Sequence, residues 1–254
     1  MTHPGILLPA LVAHRGYSAA APENTLAAVR AAFDAGATWV ELDVQLLGDA
    51  TPVIWHDADA ARCSDGRGEL KDLDLEAAKQ LDVGAWFGDE FAGERMATLD
   101  EMLTLLDELH MGVNLEIKVN KGRDAIALVD TVLPMLVEKI PANRLIVSSF
   151  DLEALRRCRE FASSKTLALG VLFGAVPEQW QAMCEDVDAY SVHPDWARLK
   201  RPQTEAMAAA GYQVLCYTPN DPAAFEPRWR WGVTCAITDE PVAFKRFLDH
   251  RDRA

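Results

Sequence analysis

Trp39-Val40-Glu41-Leu42-Asp43-Val44 is the stretch from which the rest of the chain is read. Its alternation is that of a β-strand, so Glu41 and Asp43 point to the same side. Trp39, Val40, Leu42 and Val44 leave little room for a solvated face, and the strand reads as buried. Two carboxylates on one side of a buried strand repel each other and lose their hydration. A hard divalent cation, which takes oxygen ligands, is the most economical compensation. The plainer reading is a solvated face with two surface acids, and the apolar neighbours speak against it.

A second stretch repeats the pattern. Val113-Asn114-Leu115-Glu116-Ile117-Lys118-Val119 places Glu116 and Lys118 on one face of another apolar strand. Two histidines arrive where apolar runs stop: His14 in Leu11-Val12-Ala13-His14-Arg15-Gly16, and His56 in Pro52-Val53-Ile54-Trp55-His56-Asp57. Glu41, Asp43, Glu116, His14, His56, Arg15 and Lys118 are the parts of metal-assisted chemistry on a phosphate ester.

Around these stretches, strand and helix signals alternate. Strands are expected near residues 10–13, 39–45, 113–119, 145–149, 166–172, 189–192, 212–217 and 235–238, with an extended segment at 52–55. The first helix is expected to open at Asn24 as its cap, with Leu26, Val29 and Phe33 on its inner face and Gly36 at its end. Further helices are expected over 124–138, from 152, from 177, over 202–210, from 222 and over 241–248. Eight strands alternating with helices in about 250 residues predict a single α/β domain over 1–254, a (β/α)₈ TIM barrel. An open doubly wound sheet is the other candidate, but the first turn lacks GxGxxG and the chain has no GxxxxGK[ST].

Residues 57–97 break the rhythm. A simple strand-to-helix loop runs to about 2–6 residues, so this is an insertion, expected at the C-terminal face where barrel active sites form. It is expected to line the pocket mouth, with Trp86 and Phe87 as its apolar elements. The helix after it should start near Thr98. His14, Glu41, Asp43, His56, Glu116, Lys118, Ser149, His193, Tyr217 and Asp239 all fall at or near strand ends, where polar side chains should face one pocket. His193, followed by Pro194, reads as structural rather than catalytic.

The net charge of −14 excludes nucleic acid as a natural partner, since binding it needs a basic face. Five cysteines without CxxC spacing fit reduced thiols in a cytoplasmic protein. The N-terminal sequence lacks the basic region of a secretory signal. No apolar run approaches the roughly 18 residues of a membrane helix, so no membrane association is expected. The sequence leaves an oligomer open.

In ordered combination the motifs resemble the glycerophosphodiester phosphodiesterases, in particular their compact cytoplasmic bacterial members. The resemblance rests on His14-Arg15-Gly16, Pro22-Glu23-Asn24-Thr25, Glu41-Leu42-Asp43, His56-Asp57 with Arg62 following, Thr98-Leu99-Asp100-Glu101, Glu116-Ile117-Lys118, Ser148-Ser149-Phe150 and Thr238-Asp239. It implies His14 and His56 as general acid and base, Glu41, Asp43 and Glu116 as ligands of one divalent cation, Mg²⁺ or Ca²⁺, and Arg15 and Lys118 on the phosphate. It also implies a small-molecule glycerophosphodiester substrate, split into glycerol 3-phosphate and an alcohol. Tyr217-Thr218-Pro219 and Leu47 depart from the family's usual residues, beside the pocket rim. A metal-dependent lyase or aldolase, with Lys118 forming a Schiff base, is the second reading. A catalytically dead binding barrel is the third. A zinc hydrolase is disfavoured, because there is no His-x-His and no HExxH.

Overall fold

Nine strands and nine α-helices form the protein in a computed structural model that describes residues 3–251. The strands are β1 (Leu11–His14), β2 (Trp39–Leu46), β3 (Pro52–Ile54), β4 (Gly112–Ile117), β5 (Leu145–Ser149), β6 (Ala168–Phe173), β7 (Ser191–Pro194), β8 (Gln213–Tyr217) and β9 (Cys235–Thr238). The helices are α1 (Leu26–Asp34), α2 (Leu75–Gln80), α3 (Leu99–Glu108), α4 (Ala125–Lys139), α5 (Leu152–Phe161), α6 (Trp180–Asp186), α7 (Arg201–Ala209), α8 (Pro222–Trp231) and α9 (Pro241–Arg251). Eight strands run parallel in the ring β1-β2-β4-β5-β6-β7-β8-β9, which closes where β9 pairs with β1. This is a TIM barrel. β3 stands outside the ring, antiparallel to the end of β2. Among the described residues, no helix is long and apolar enough to cross a membrane.

Apolar residues cover both faces of the ring, as a parallel sheet wrapped in helices requires. Every residue of β2 and β4 is buried. The main core lies between the strands and the helix layer, with Leu42, Val44 and Leu115 against Leu103, Val129 and Leu133. Inside the ring, Val12, Trp39, Ile146, Ala168, Leu215 and Cys235 fill the end where the strands begin. The strand ends beyond this plug are free to carry polar side chains.

Local chemistry fixes the element ends. α3 opens on a capping box in which Thr98 and Glu101 satisfy each other's backbone. Asp124 and Asp151 cap α4 and α5. α1 departs from expectation: its cap is Thr25, whose side chain accepts from the Ala28 backbone. Asn24 instead adopts a left-handed φ of 59°, which asparagine tolerates. Phe33 is also not on the inner face; it is 44% exposed, because α1 packs through Ala28, Val29 and Ala32. Pro134 lies within α4, which continues past it to Lys139.

The strand expected at 189–192 is Ser191–Pro194, so His193 lies within β7, paired in register with Leu172. Its ring is fully buried and bonds Ser191 Oγ through Nε2 at 2.8 Å. Gly170 on the neighbouring strand leaves the room: a Cβ there would come within 2.5 Å of Nε2. Burial lowers this imidazole to about 3. The unfolded chain therefore takes up a proton near pH 6.5 that the folded ring refuses, so the stability owed to this site is complete above pH 6.5 and is lost as pH falls toward 3. By pH 5 the loss amounts to about 2 kcal/mol. Urea unfolding of the wild type and His193→Gln at pH 7 and pH 5 should show the variant losing less by about that amount. Equal losses would mean that the folded ring takes up the proton.

Candidate active site

The turn after β1 builds the first part of the site. Arg15 has a φ of 54° and Gly16 a φ of 82°. A Cβ on Gly16 would lie 2.6 Å from Ala28, so only glycine lets the turn sit on α1. The turn aims the Arg15 backbone N–H at Glu41 Oε2, 3.3 Å away. Arg15 Nη1 donates to Glu23 Oε1 at 2.6 Å, and its Nε lies 3.3 Å from Asp43 Oδ2. His14 closes β1 with Nδ1 2.6 Å from Asp239 Oδ1 and Nε2 3.7 Å from Glu41 Oε2. A carboxylate can only accept, so Nδ1 carries the proton and Nε2 faces the acids. Asp239 also accepts from Ser18 Oγ and Asn220 Nδ2. Burial would raise its carboxyl, but the bonds from His14, Asn220 and Ser18 hold it at about 2.

His56 has the same arrangement, with Nδ1 2.6 Å from Asp57 Oδ1. Burial lowers this imidazole, aided by Arg15 and Lys118 and opposed by Asp43. The backbone beneath it is pinned by Gln45, whose amide nitrogen donates to the carbonyls of Trp55, His56 and Asp57.

Glu41, Asp43 and Glu116 come together at the centre. Each offers a carboxylate oxygen, and these oxygens lie within 4.8 Å of one another. β2 and β4 pair Glu41 with Asn114 and Asp43 with Glu116, so the strand register itself builds the cluster. Burial, with Asp43 and Glu116 nearby, raises Glu41 far above the ordinary carboxylate range. Burial and then Asp43 push Glu116 up to about 7. Asp43 goes the other way: burial would raise it, but Lys118 and Arg15 pull it well below its usual value. Lys118 Nζ lies 2.9 Å from Glu116 Oε1 and 3.3 Å from Asp43 Oδ1. Asn24 grips Asp43 twice, donating to Oδ2 at 2.9 Å and accepting from the Asp43 backbone N–H at 3.2 Å.

The donor set suits a hard divalent cation. All three groups are carboxylates, and the Nδ1 atoms of both nearby histidines are engaged by other acids. Asn114 Oδ1, two residues before Glu116 on the same strand face, is buried and lacks a hydrogen-bond partner. It is a fourth oxygen of the kind such an ion takes.

His14, Arg15, Glu41, His56, Glu116 and Lys118 line one cavity of about 250 Å³. Of the seven residues singled out from sequence, only Asp43 stands behind the wall, 1% exposed. The remaining strand-end residues divide. Tyr217 lines the cavity, Asp239 supports His14, Ser149 Oγ is turned to the Ile117 carbonyl, and His193 is buried within β7. The insertion also differs from expectation. Trp86 and Phe87 pack edge-on against each other, Phe87 against Phe91, and none of the three lines the cavity. The segment packs Leu70, Val83 and Met96 into an apolar cluster with Leu47, Val53 and Trp55, while Trp86 stays 41% exposed. The apolar wall is instead Phe150, Leu172, Tyr217 and Ile237, carried by strands and their ends.

Fold and site together define a TIM-barrel enzyme with an acid and histidine centre at the ends of its strands. Residues 14–243 match the glycerophosphoryl diester phosphodiesterase family, and the chain belongs to it. A glycerophosphodiester phosphodiesterase of Caldanaerobacter subterraneus subsp. tengcongensis is 36% identical over 235 residues, covering 91% of this chain and 94% of the relative. The structure of an Oleispira antarctica phosphodiesterase, solved in complex with the product sn-glycerol-3-phosphate, superposes with a TM-score of 0.91 at 34% identity, covering 95% of this chain and 97% of that one. A glycerophosphodiester phosphodiesterase of Thermotoga maritima superposes at 0.74 with 28% identity, covering 95% of this chain and 98% of its own.

Sequence reasoning missed Asn24 as a support for the acids. The available signal was Thr25 beside it, a second residue able to cap, which freed Asn24 for a left-handed turn. Asn24→Ala removes both bonds to Asp43 and strains the backbone; it should cost about 2–4 kcal/mol in urea unfolding. Asn24→Gly relieves the strain and should cost less than Asn24→Ala. Equal costs for the two would mean that the left-handed backbone carries no strain.

Proposed function

We propose that the protein hydrolyses glycerophosphodiesters to glycerol 3-phosphate and an alcohol. The observation that carries the reading is the single cavity shared by two carboxylate-braced histidines and a buried carboxylate cluster. The product bound to the Oleispira relative supports glycerol 3-phosphate as the half that is kept. Glu41, Asp43 and Glu116 would hold one divalent cation, Mg²⁺ or Ca²⁺, whose bound charge offsets negative charge developing on the phosphoryl oxygens.

This chain's own groups supply the rest. Arg15 offers its planar fork to one phosphate oxygen, and Lys118 a point charge to another. His14 and His56 each keep the proton on Nδ1 through a carboxylate, which leaves Nε2 to take or give a proton at the reacting oxygens. One ring serves the attacking oxygen and the other the leaving alcohol. Phe150, Leu172 and Tyr217 cover the carbon skeleton and keep bulk water from that side.

The lyase or aldolase reading is weaker. A Schiff-base lysine must lose its proton readily. Burial would lower Lys118, but Asp43 and Glu116 raise it above its ordinary value, so its amine is held charged. We place the protein in the cytoplasm, on the ground that all five cysteines are free and buried.

Glycerol 3-phosphate release from glycerophosphocholine and glycerophosphoethanolamine tests the reading. The wild type should turn over both; EDTA should abolish the activity, and Mg²⁺ or Ca²⁺ should restore it. His14→Ala and His56→Ala should each lower kcat by about 10²–10⁴-fold, with the fold intact by circular dichroism. Full activity in EDTA, or wild-type kcat in either variant, would refute the corresponding assignment.

A further inference from the structure

Arg62 belongs to the insertion, yet its guanidinium reaches two carboxylates at the barrel mouth. Nε donates to Asp57 Oδ2 at 2.6 Å and Nη2 to Asp57 Oδ1 at 3.1 Å. Nη1 donates to Glu23 Oε2 at 2.7 Å and Nη2 to Glu23 Oε1 at 2.8 Å. Each carboxylate has a second partner that lines the cavity: Asp57 holds His56 Nδ1, and Glu23 holds Arg15 Nη1. The chain His56, Asp57, Arg62, Glu23, Arg15 is therefore unbroken, and from Asp57 to Arg15 it alternates in charge. His14 is braced differently, since its Asp239 is held by the neutral groups of Ser18 and Asn220.

We propose that Arg62 is a positioning residue for the reaction. By clamping Asp57 and Glu23 at a fixed spacing, it holds the His56 ring and the Arg15 fork in register with each other. The insertion thus serves the site through Asp57 and Arg62 rather than by covering the pocket. The clamp needs a planar fork with three donor nitrogens, which a lysine ammonium cannot reproduce. Arg62 is 46% exposed, so its ion pairs add little to global stability. Its loss should appear in turnover more than in unfolding.

The inference rests on the proposed hydrolase reading, and the experiment separates the two. Arg62→Ala and Arg62→Lys are prepared with saturating Mg²⁺, beside the wild type. Glycerophosphocholine turnover should fall by about 10–100-fold in kcat for both, with KM changed by less than about threefold and the melting temperature near that of the wild type. The His56 Nδ1 proton, assigned by its absence in His56→Gln, should give a low-field resonance in the wild type that is lost or broadened in Arg62→Ala. This signal is read without substrate, so it decides the role of Arg62 even if the wild type releases no glycerol 3-phosphate, a result that would sink the hydrolase reading alone. An unchanged resonance, wild-type kcat in either variant, or a kcat loss that merely follows the unfolded fraction would overturn the proposal.

Discussion

Three carboxylates sharing a space less than 5 Å across, inside a closed barrel, set the terms for everything near them. Two unit charges about 5 Å apart repel by about 3 kcal/mol at an effective dielectric near 20. Three such pairs would offset most of a domain's net stability of about 5–15 kcal/mol. Burial and the neighbouring carboxylates raise Glu41 and Glu116, while Lys118 and Arg15 hold Asp43 below its usual value. The sign follows from linkage. Glu116 titrates near 7 in the fold and near 4.5 when unfolded, so its contribution to stability falls as pH rises through that window. A cation held by the three acids would supply at neutral pH the charge that protons supply below it.

Two left-handed turns at the barrel mouth serve this cluster. Arg15 and Asn24 both take left-handed backbone conformations, and both reach Asp43. Such strain persists only where the surroundings over-determine it; here the Arg15 carbonyl accepts from the Asn24 backbone N–H, tying the two turns together. Both histidines have Nδ1 tied down by a carboxylate. Their carboxylate partners come from far apart in sequence, Asp239 after β9 and Asp57 after β3. Closing the barrel is what brings His14 and Asp239 together, since β1 pairs only with the strands on either side of the closure.

Much of this was legible in the sequence. The eight ring strands were visible because parallel strands buried on both faces leave uninterrupted apolar runs. The acid cluster was visible because period two puts Glu41 with Asp43 and Glu116 with Lys118. What was not legible depended on side-chain direction in turns and on packing between remote segments. Asn24 looked like a helix cap because the sequence does not show that the turn has already passed into a left-handed conformation. Trp86 and Phe87 looked like pocket walls because nothing local reveals that they pack on each other and on Phe91 instead. Phe33 looked internal by spacing, but the helix turns Ala28, Val29 and Ala32 inward instead. Arg62 belonged to a recognised motif, but its clamp on Glu23 spans 39 positions and exists only once folded.

The most direct test compares thermal unfolding of the wild type and Glu41→Gln at pH 7.5, in EDTA and then in excess Mg²⁺ or Ca²⁺. If crowded carboxylates govern the site, the metal-free variant should melt above the metal-free wild type, by about 2–4 °C for each kcal/mol of repulsion relieved. Added cation should then raise the wild type by several degrees and the variant hardly at all. A metal-free variant that melts below the wild type, or an equal gain from cation in both proteins, would contradict the idea that these three acids are held together for an ion.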